Sequence, residues 1–258
     1  MKNRIVKLFE GKKEKILSIY FTAGFPKLNS TVELVGLLQN AGVDLIEIGM
    51  PFSDPLADGP VIQHSSEEAL KNGMTIKILF EQLKDIRKVA QLPIILMGYI
   101  NPVLQYGVEN FCKKAAELGV DGVILPDLPL QEYLNEYKII FQKYGLLNIF
   151  LITPQTSDHR IHLIDDASVG FIYLVSSSST TGGTQSINAD KENYFKRIKN
   201  MQLKNPLVVG FGISDRASFN KATAYANGAI IGSAFVKELE HAADLKTFVP
   251  HFVNRIKS

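Results

Sequence analysis

The sequence predicts an α/β fold: a single (β/α)8 TIM barrel with an extra N-terminal helix. Three observations predict it. Short apolar runs recur along the 258 residues, and most are rich in Val, Ile and Leu without period-two alternation, the pattern of parallel strands buried on both faces. Amphipathic segments of helical period separate them. Eight such strand–helix units in about 250 residues match one closed barrel. No linker or composition shift marks a second domain, so residues 1–258 are expected to form one. An open doubly wound sheet is the main rival. It usually needs fewer strands and a Gly-rich first turn, and Thr22-Ala-Gly-Phe-Pro26 contains no GxGxxG.

The elements follow in order. A helix over 3–9 precedes the first apolar run, 17–22. Residues 31–39 repeat Val32, Leu34, Val35, Leu37 and Leu38 and stop at Ala41-Gly42, where a helix ends. The second run is 45–49. Residues 76–89 place Ile78, Leu79, Leu83, Ile86 and Val89 on one helical face. After the third run, 94–98, a helix over 111–118 closes at Gly119, a C-terminal stop signal. The fourth, fifth and sixth runs are 122–126, 149–153 and 171–176. His159 and His162 fall on a surface helix between the last two. The seventh run, 207–210, leads into a helix over 215–224. The eighth, 229–232, is followed by a helix over 245–256.

Composition excludes several classes. The hydrophobic fraction of 46%, charged fraction of 21% and net charge of +2 are those of a globular protein with no nucleic-acid stripe. Cys112 is the only cysteine, which rules out a disulfide within the chain and argues against a Cys-based metal site. The five histidines show no ligand spacing, so no metal is expected. No signal-like apolar region follows Met1 and no apolar run approaches spanning length, so a cytoplasmic protein is expected.

In a barrel of this kind chemistry collects at the C-terminal ends of the strands. Glu47 stands inside the apolar run Leu45-Ile-Glu-Ile-Gly49, where a charge is costly unless paired or protonated. It is either a proton donor or the partner of an interior Lys or Arg. Asp58 lies eleven positions on, in a loop stiffened by Pro51, Pro55 and Pro60. Asp54 and Asp58 also suit local turns, but a long ordered loop on this face is usually functional. Three Gly-bearing turns point to a phosphate: Thr181-Gly182-Gly183, Gly210-Phe211-Gly212 and Gly228 to Gly232-Ser233. Glycine lets the backbone approach an anion, and helix N-termini present free N–H groups to it. Tyr20, Phe21, Tyr99, Phe171, Tyr173 and Phe211 are candidates for contact with a flat apolar substrate, though core packing explains most of them. Asp127 is a further acid candidate, or a cap for the helix after it.

The stretch Pro51-Phe-Ser-Asp-Pro-Leu-Ala-Asp58-Gly-Pro, with Glu47 ahead of it, resembles the signature of the tryptophan synthase alpha chain family. Further similarity lies in Phe21-Thr-Ala-Gly-Phe-Pro26, Leu96-Met-Gly-Tyr-Ile-Asn-Pro102, Leu125-Pro-Asp-Leu-Pro129, Val208-Val-Gly-Phe-Gly-Ile213 and Gly228-Ala-Ile-Ile-Gly-Ser-Ala234. The resemblance implies retro-aldol cleavage of indole-3-glycerol phosphate to indole and glyceraldehyde 3-phosphate. It puts Glu47 and Asp58 on the two catalytic acids, and Gly182, Gly183, Gly212, Gly232 and Ser233 on the phosphate turns. It puts Tyr20, Tyr99, Ile124, Tyr173, Thr181 and Phe211 around the indole. Pro51, Asp54, Asn101 and Pro102 fall on a partner surface. The implied partner is a beta chain in an α2β2 heterotetramer, and the pyridoxal phosphate cofactor belongs to that partner, with none in this chain. One departure is Ser177, where the family commonly has Arg; it bears on loop closure and signalling between subunits rather than on the chemistry. A stand-alone indole-3-glycerol phosphate lyase, another phosphate-binding barrel isomerase or epimerase, and a barrel that only scaffolds a partner are the alternatives.

Overall fold

The computed structural model describes residues 2–175, 189–210 and 212–258, without the side chains of 189–191. Among them, nine parallel strands form one sheet. They are β1 (Ile16–Thr22), β2 (Leu45–Gly49), β3 (Ile94–Met97), β4 (Gly122–Ile124), β5 (Leu147–Ile149), β6 (Leu151–Ile152), β7 (Ile172–Val175), β8 (Leu207–Gly210) and β9 (Gly228–Ile231). Only Phe150 separates β5 from β6, and its carbonyl accepts the Tyr173 N–H at 2.9 Å. These two short strands are halves of one stave: β5 pairs with β4, and β6 with β7. At the other seam β1 pairs with both β2 and β9. The sheet thus closes as the eight expected staves. The fifth begins at Leu147 rather than 149, because the buried Asn148 interrupts the apolar run that marks a strand in sequence.

All seven positions of β1 are buried, since one face meets the barrel interior and the other the helices. Its polar and aromatic residues Ser18, Tyr20 and Thr22 alternate along one face. They stand in register with Leu45, Glu47 and Gly49 of β2. The helices start where short polar side chains supply caps: Thr75 for Ile76–Gln82, Ser157 for Asp158–Ala167, and Asp215 with Ser218 for Arg216–Thr223. The helix expected over 76–89 tightens into a 3-10 turn at Leu83–Asp85, yet its apolar period survives with Leu79, Leu83 and Ile86 buried. The helix Pro60–Lys71 escapes sequence reading. It buries two serines, Ser65 and Ser66, beside Ile62 and Ala69, so its inner face is too polar to register as an apolar stripe.

The amino end of the barrel is plugged by α1 (Arg4–Gly11). Ile5 sits over Gly122 and Gly170, where an added Cβ would come within 3.0 Å of its side chain. Phe9 packs on Phe171 with ring centroids 5.5 Å apart. Beneath them Asp121 accepts from Ile94 N–H at 3.0 Å, Arg87 at 2.7 Å and Arg4 at 3.1 Å. Among the described residues no helix is long and apolar enough to cross a membrane.

Candidate active site

Glu47 occupies the centre of β2 and is completely buried. Its hydrogen-bond partner is the Ser18 hydroxyl, which donates to Oε1 at 2.8 Å, and not a lysine or arginine. Among the described residues the buried Oε2 has no hydrogen-bond partner. Among the described residues no lysine or arginine pairs with Glu47, which counts against the alternative of an interior ion pair. Burial pushes the carboxyl pKa up to about 8, against a smaller opposing effect of the Ser18 bond.

Asp58 lies on the loop between β2 and the helix Pro60–Lys71. Its backbone makes the turn that sequence reading assigns to its side chain. The Asp58 N–H donates to the Pro55 carbonyl at 3.0 Å, and its own carbonyl accepts from Gln63 at 2.9 Å. The carboxyl is held instead by Tyr99, whose hydroxyl donates to Oδ2 at 2.9 Å while accepting the Ala57 N–H at 2.9 Å. Burial raises the Asp58 pKa to about 6, and the Tyr99 bond works against it. Glu47 is thus the weaker acid of the two, held further towards its neutral form than Asp58. Asp54 is exposed and accepts from Ser53 at 2.5 Å, as a turn residue does.

Tyr20 and Tyr173 complete the interior. Each lies across a strand-end glycine. A Cβ at Gly49 would fall 2.1 Å from the Tyr20 hydroxyl, and one at Gly210 would fall 1.9 Å from that of Tyr173. Burial, and after it the nearby carboxyls, push both phenols up, so they stay neutral donors. Ser65 donates to the Ile62 carbonyl at 2.8 Å, leaving Thr22 to donate to Ser65 at 2.6 Å. The Tyr20 hydroxyl is then the donor in its longer 3.4 Å contact with Thr22. Tyr20, Met50, Phe52, Asp58, Met97 and Tyr99 line a small cavity, in which the Phe52 and Tyr99 ring centroids are 5.2 Å apart. Ile124, fully buried, is the register neighbour of Met97.

Of the expected phosphate turns, Gly212 adopts a left-handed φ of 73°, a conformation that favours glycine. Gly232 precedes the helix Ser233–Glu240, whose first N–H groups have no acceptor within the helix. Thr181, Gly182, Gly183 and Phe211, with Ser177, lie outside the described residues. Pro51, Asp54, Asn101 and Pro102 share the rim with Leu56 and Leu104, which are 83% and 45% exposed. Asp127 is exposed and accepts the Ile100 N–H at 3.0 and 3.2 Å. It caps the helix Ile100–Tyr106 of the preceding stave, not the helix after it. Sequence reasoning missed Ser18, Thr22 and Ser65. The alternation Ser18-Tyr20-Thr22 inside an apolar run is the available signal for the first two. Among the described residues no group of three His, Cys, Asp or Glu is placed to hold a metal.

Comparison with known proteins bears on this arrangement. The family described as "Tryptophan synthase alpha chain" matches residues 7–254. The tryptophan synthase alpha chain of Flavobacterium johnsoniae is 60% identical over 255 residues, covering 99% of this chain and 100% of that protein. That of Bacteroides thetaiotaomicron is 54% identical over 242 residues, with 94% of each covered. Among solved structures, tryptophan synthase subunit alpha from Legionella pneumophila superposes with a TM-score of 0.89 at 34% identity, over 100% of this chain and 98% of that one. A tryptophan synthase complex from Pyrococcus furiosus gives 0.86 at 36%, over 95% and 99%. Sequence, barrel and length agree, and the chain belongs to the tryptophan synthase alpha chain family.

Proposed function

We propose that Glu47 and Asp58 perform the acid–base chemistry of indole-3-glycerol phosphate cleavage. The chain is a lyase of the tryptophan synthase alpha type, acting on that substrate. What carries the assignment of roles is one observation: two carboxyls near one cavity, Glu47 fully buried and Asp58 half-buried, with pKa values pushed up to about 8 and about 6. Separated pKa values are what a donor and a charge acceptor need. Neutral Glu47 gives its proton to indole C3. The ring nitrogen becomes positive, and ionised Asp58 takes or balances its N–H. Glu47, now a carboxylate, removes the proton from the glycerol hydroxyl next to the ring. The carbon–carbon bond then breaks, its electrons return to the ring, and indole leaves as the aldehyde forms.

Tyr20, Tyr99, Ile124, Tyr173, Thr181 and Phe211 are assigned to the indole. Gly182, Gly183, Gly212, Gly232 and Ser233 are assigned to the phosphate, which mainly sets position and affinity. Pro51, Asp54, Asn101 and Pro102 are assigned to a beta chain that takes the indole, in an α2β2 assembly. The exposure of Leu56 and Leu104 on that rim supports it. Pyridoxal phosphate is assigned to that partner. Residues 1–258 are read as one domain, because the first and last staves share a ladder.

The test is release of indole from indole-3-glycerol phosphate by the purified chain, with and without a beta chain. Glu47→Gln is expected to lose most turnover in both settings. Parent-rate cleavage by that variant would refute the roles of the two acids.

A further inference from the structure

Ser18 interrupts the apolar run Ile16-Leu17-Ser18-Ile19 and is completely buried in β1. It lies two residues below Tyr20 on the inner face, about 6–7 Å deeper along the stave, and does not line the substrate cavity. A hydroxyl in such a place is costly unless bonded. It makes its bond to Glu47 Oε1, at 2.8 Å, while Oε2 of the same carboxyl has none among the described residues.

We propose that Ser18 is the positioning residue of Glu47: its hydroxyl occupies Oε1 as an acceptor, so that the proton of the neutral acid sits on Oε2 and is delivered from there. This rests on the reading of Glu47 as proton donor. A protonated carboxyl has one O–H and keeps acceptor capacity on its other oxygen. With Ser18 donating to Oε1, the acidic hydrogen belongs to Oε2, the oxygen with no partner among the described residues. The same bond restricts the rotamers of a flexible side chain. Once Glu47 has given up its proton, the bond becomes charge-assisted and stronger. It therefore stabilises the carboxylate that must next act as base. Both effects fall on the chemical step and leave substrate affinity alone.

The experiment uses the full chain and measures kcat and KM for indole-3-glycerol phosphate cleavage from pH 5.5 to 9.5, with thermal melts alongside. Ser18→Ala is expected to lower kcat about tenfold, with KM within about twofold of the parent. Because the lost bond favoured the ionised form, the alkaline limb should move up by about one pH unit. Ser18→Thr, which keeps the hydroxyl, should restore both rate and limb. Ser18→Ala should add nothing in a Glu47→Gln background. If Glu47→Gln is inactive while Ser18→Ala keeps the parent rate and pH profile, the inference is wrong and the role of Glu47 stands. If Glu47→Gln is active, both fall. Should the alanine variant melt too early to assay, Ser18→Cys has nearly the same size and a weaker donor. It should show a smaller shift in the same direction, and a parent profile there also overturns the inference.

Discussion

Asp121 and Glu47 are buried carboxyls at different depths of one barrel, 3% and 0% exposed. Asp121, beneath the floor, receives two guanidinium groups and a backbone N–H. Asp165 is treated similarly, with the N–H groups of Lys204 and Asn205 and the Asn205 amide directed at it. Among the described residues Glu47 has one serine hydroxyl and an oxygen left over. Depth alone therefore does not distinguish a structural acid from a chemical one. The difference lies in what the fold supplies. A fully bonded carboxylate fixes the backbone around it. One left short is driven to its neutral form and retains bonding capacity for a substrate.

That contrast breaks most visibly at the mouth. Glu47→Gln and Asp58→Asn are each expected to cut turnover by about 10²–10⁴-fold in indole-release assays, with melting temperatures near or above the parent. A large fall in stability without loss of rate would put either residue in the class of Asp121. The next effect is the converse. Asp121→Ala leaves Arg4 and Arg87 without their carboxylate and is expected to cost about 3–5 kcal/mol in urea unfolding, while kcat per folded molecule stays at the parent value.

A third test concerns pH. Folded Glu47 holds its proton up to about pH 8, against 4.5 for the free side chain. Between those values the native state binds a proton that the unfolded chain has lost. The contribution of Glu47 to stability therefore falls as pH rises across that window. Glu47→Gln should gain on the parent in urea midpoint from pH 5 to pH 8.5. A constant gap would mean Glu47 is ionised and paired after all. The smallest effect is expected of Tyr99→Phe. Losing the donor on Oδ2 raises the Asp58 pKa above about 6. The acid limb of the rate profile should then move upward, with several-fold loss near pH 6 and little near pH 8.

The barrel is legible in the sequence because its staves are apolar on both faces, and Glu47 is legible because it breaks one of them. The helix Pro60–Lys71 is not, since Ser65 and Ser66 occupy its inner face. The fifth stave starts earlier than its apolar run because Asn148 is buried within it. Asp58 is recognisable through the motif around it. What holds its carboxyl comes from Tyr99, forty-one positions away and in the next stave's loop, a distance that local pattern does not span. Ser18 escapes because a serine among Leu and Ile looks like tolerated polarity until its partner on β2 is seen.

The plug at the floor has a consequence for synthesis. Ile5 and Phe9 leave the ribosome well before their seats, which include Gly122, Gly170 and Phe171. At about 5–20 residues per second, the gap of 162 positions between Phe9 and Phe171 takes about 8–30 s to translate. Throughout that interval the emerging chain carries an apolar helix face whose docking site is not yet complete. The nascent chain must hold that face unsatisfied, or lend it to a chaperone, until most of the barrel has been made.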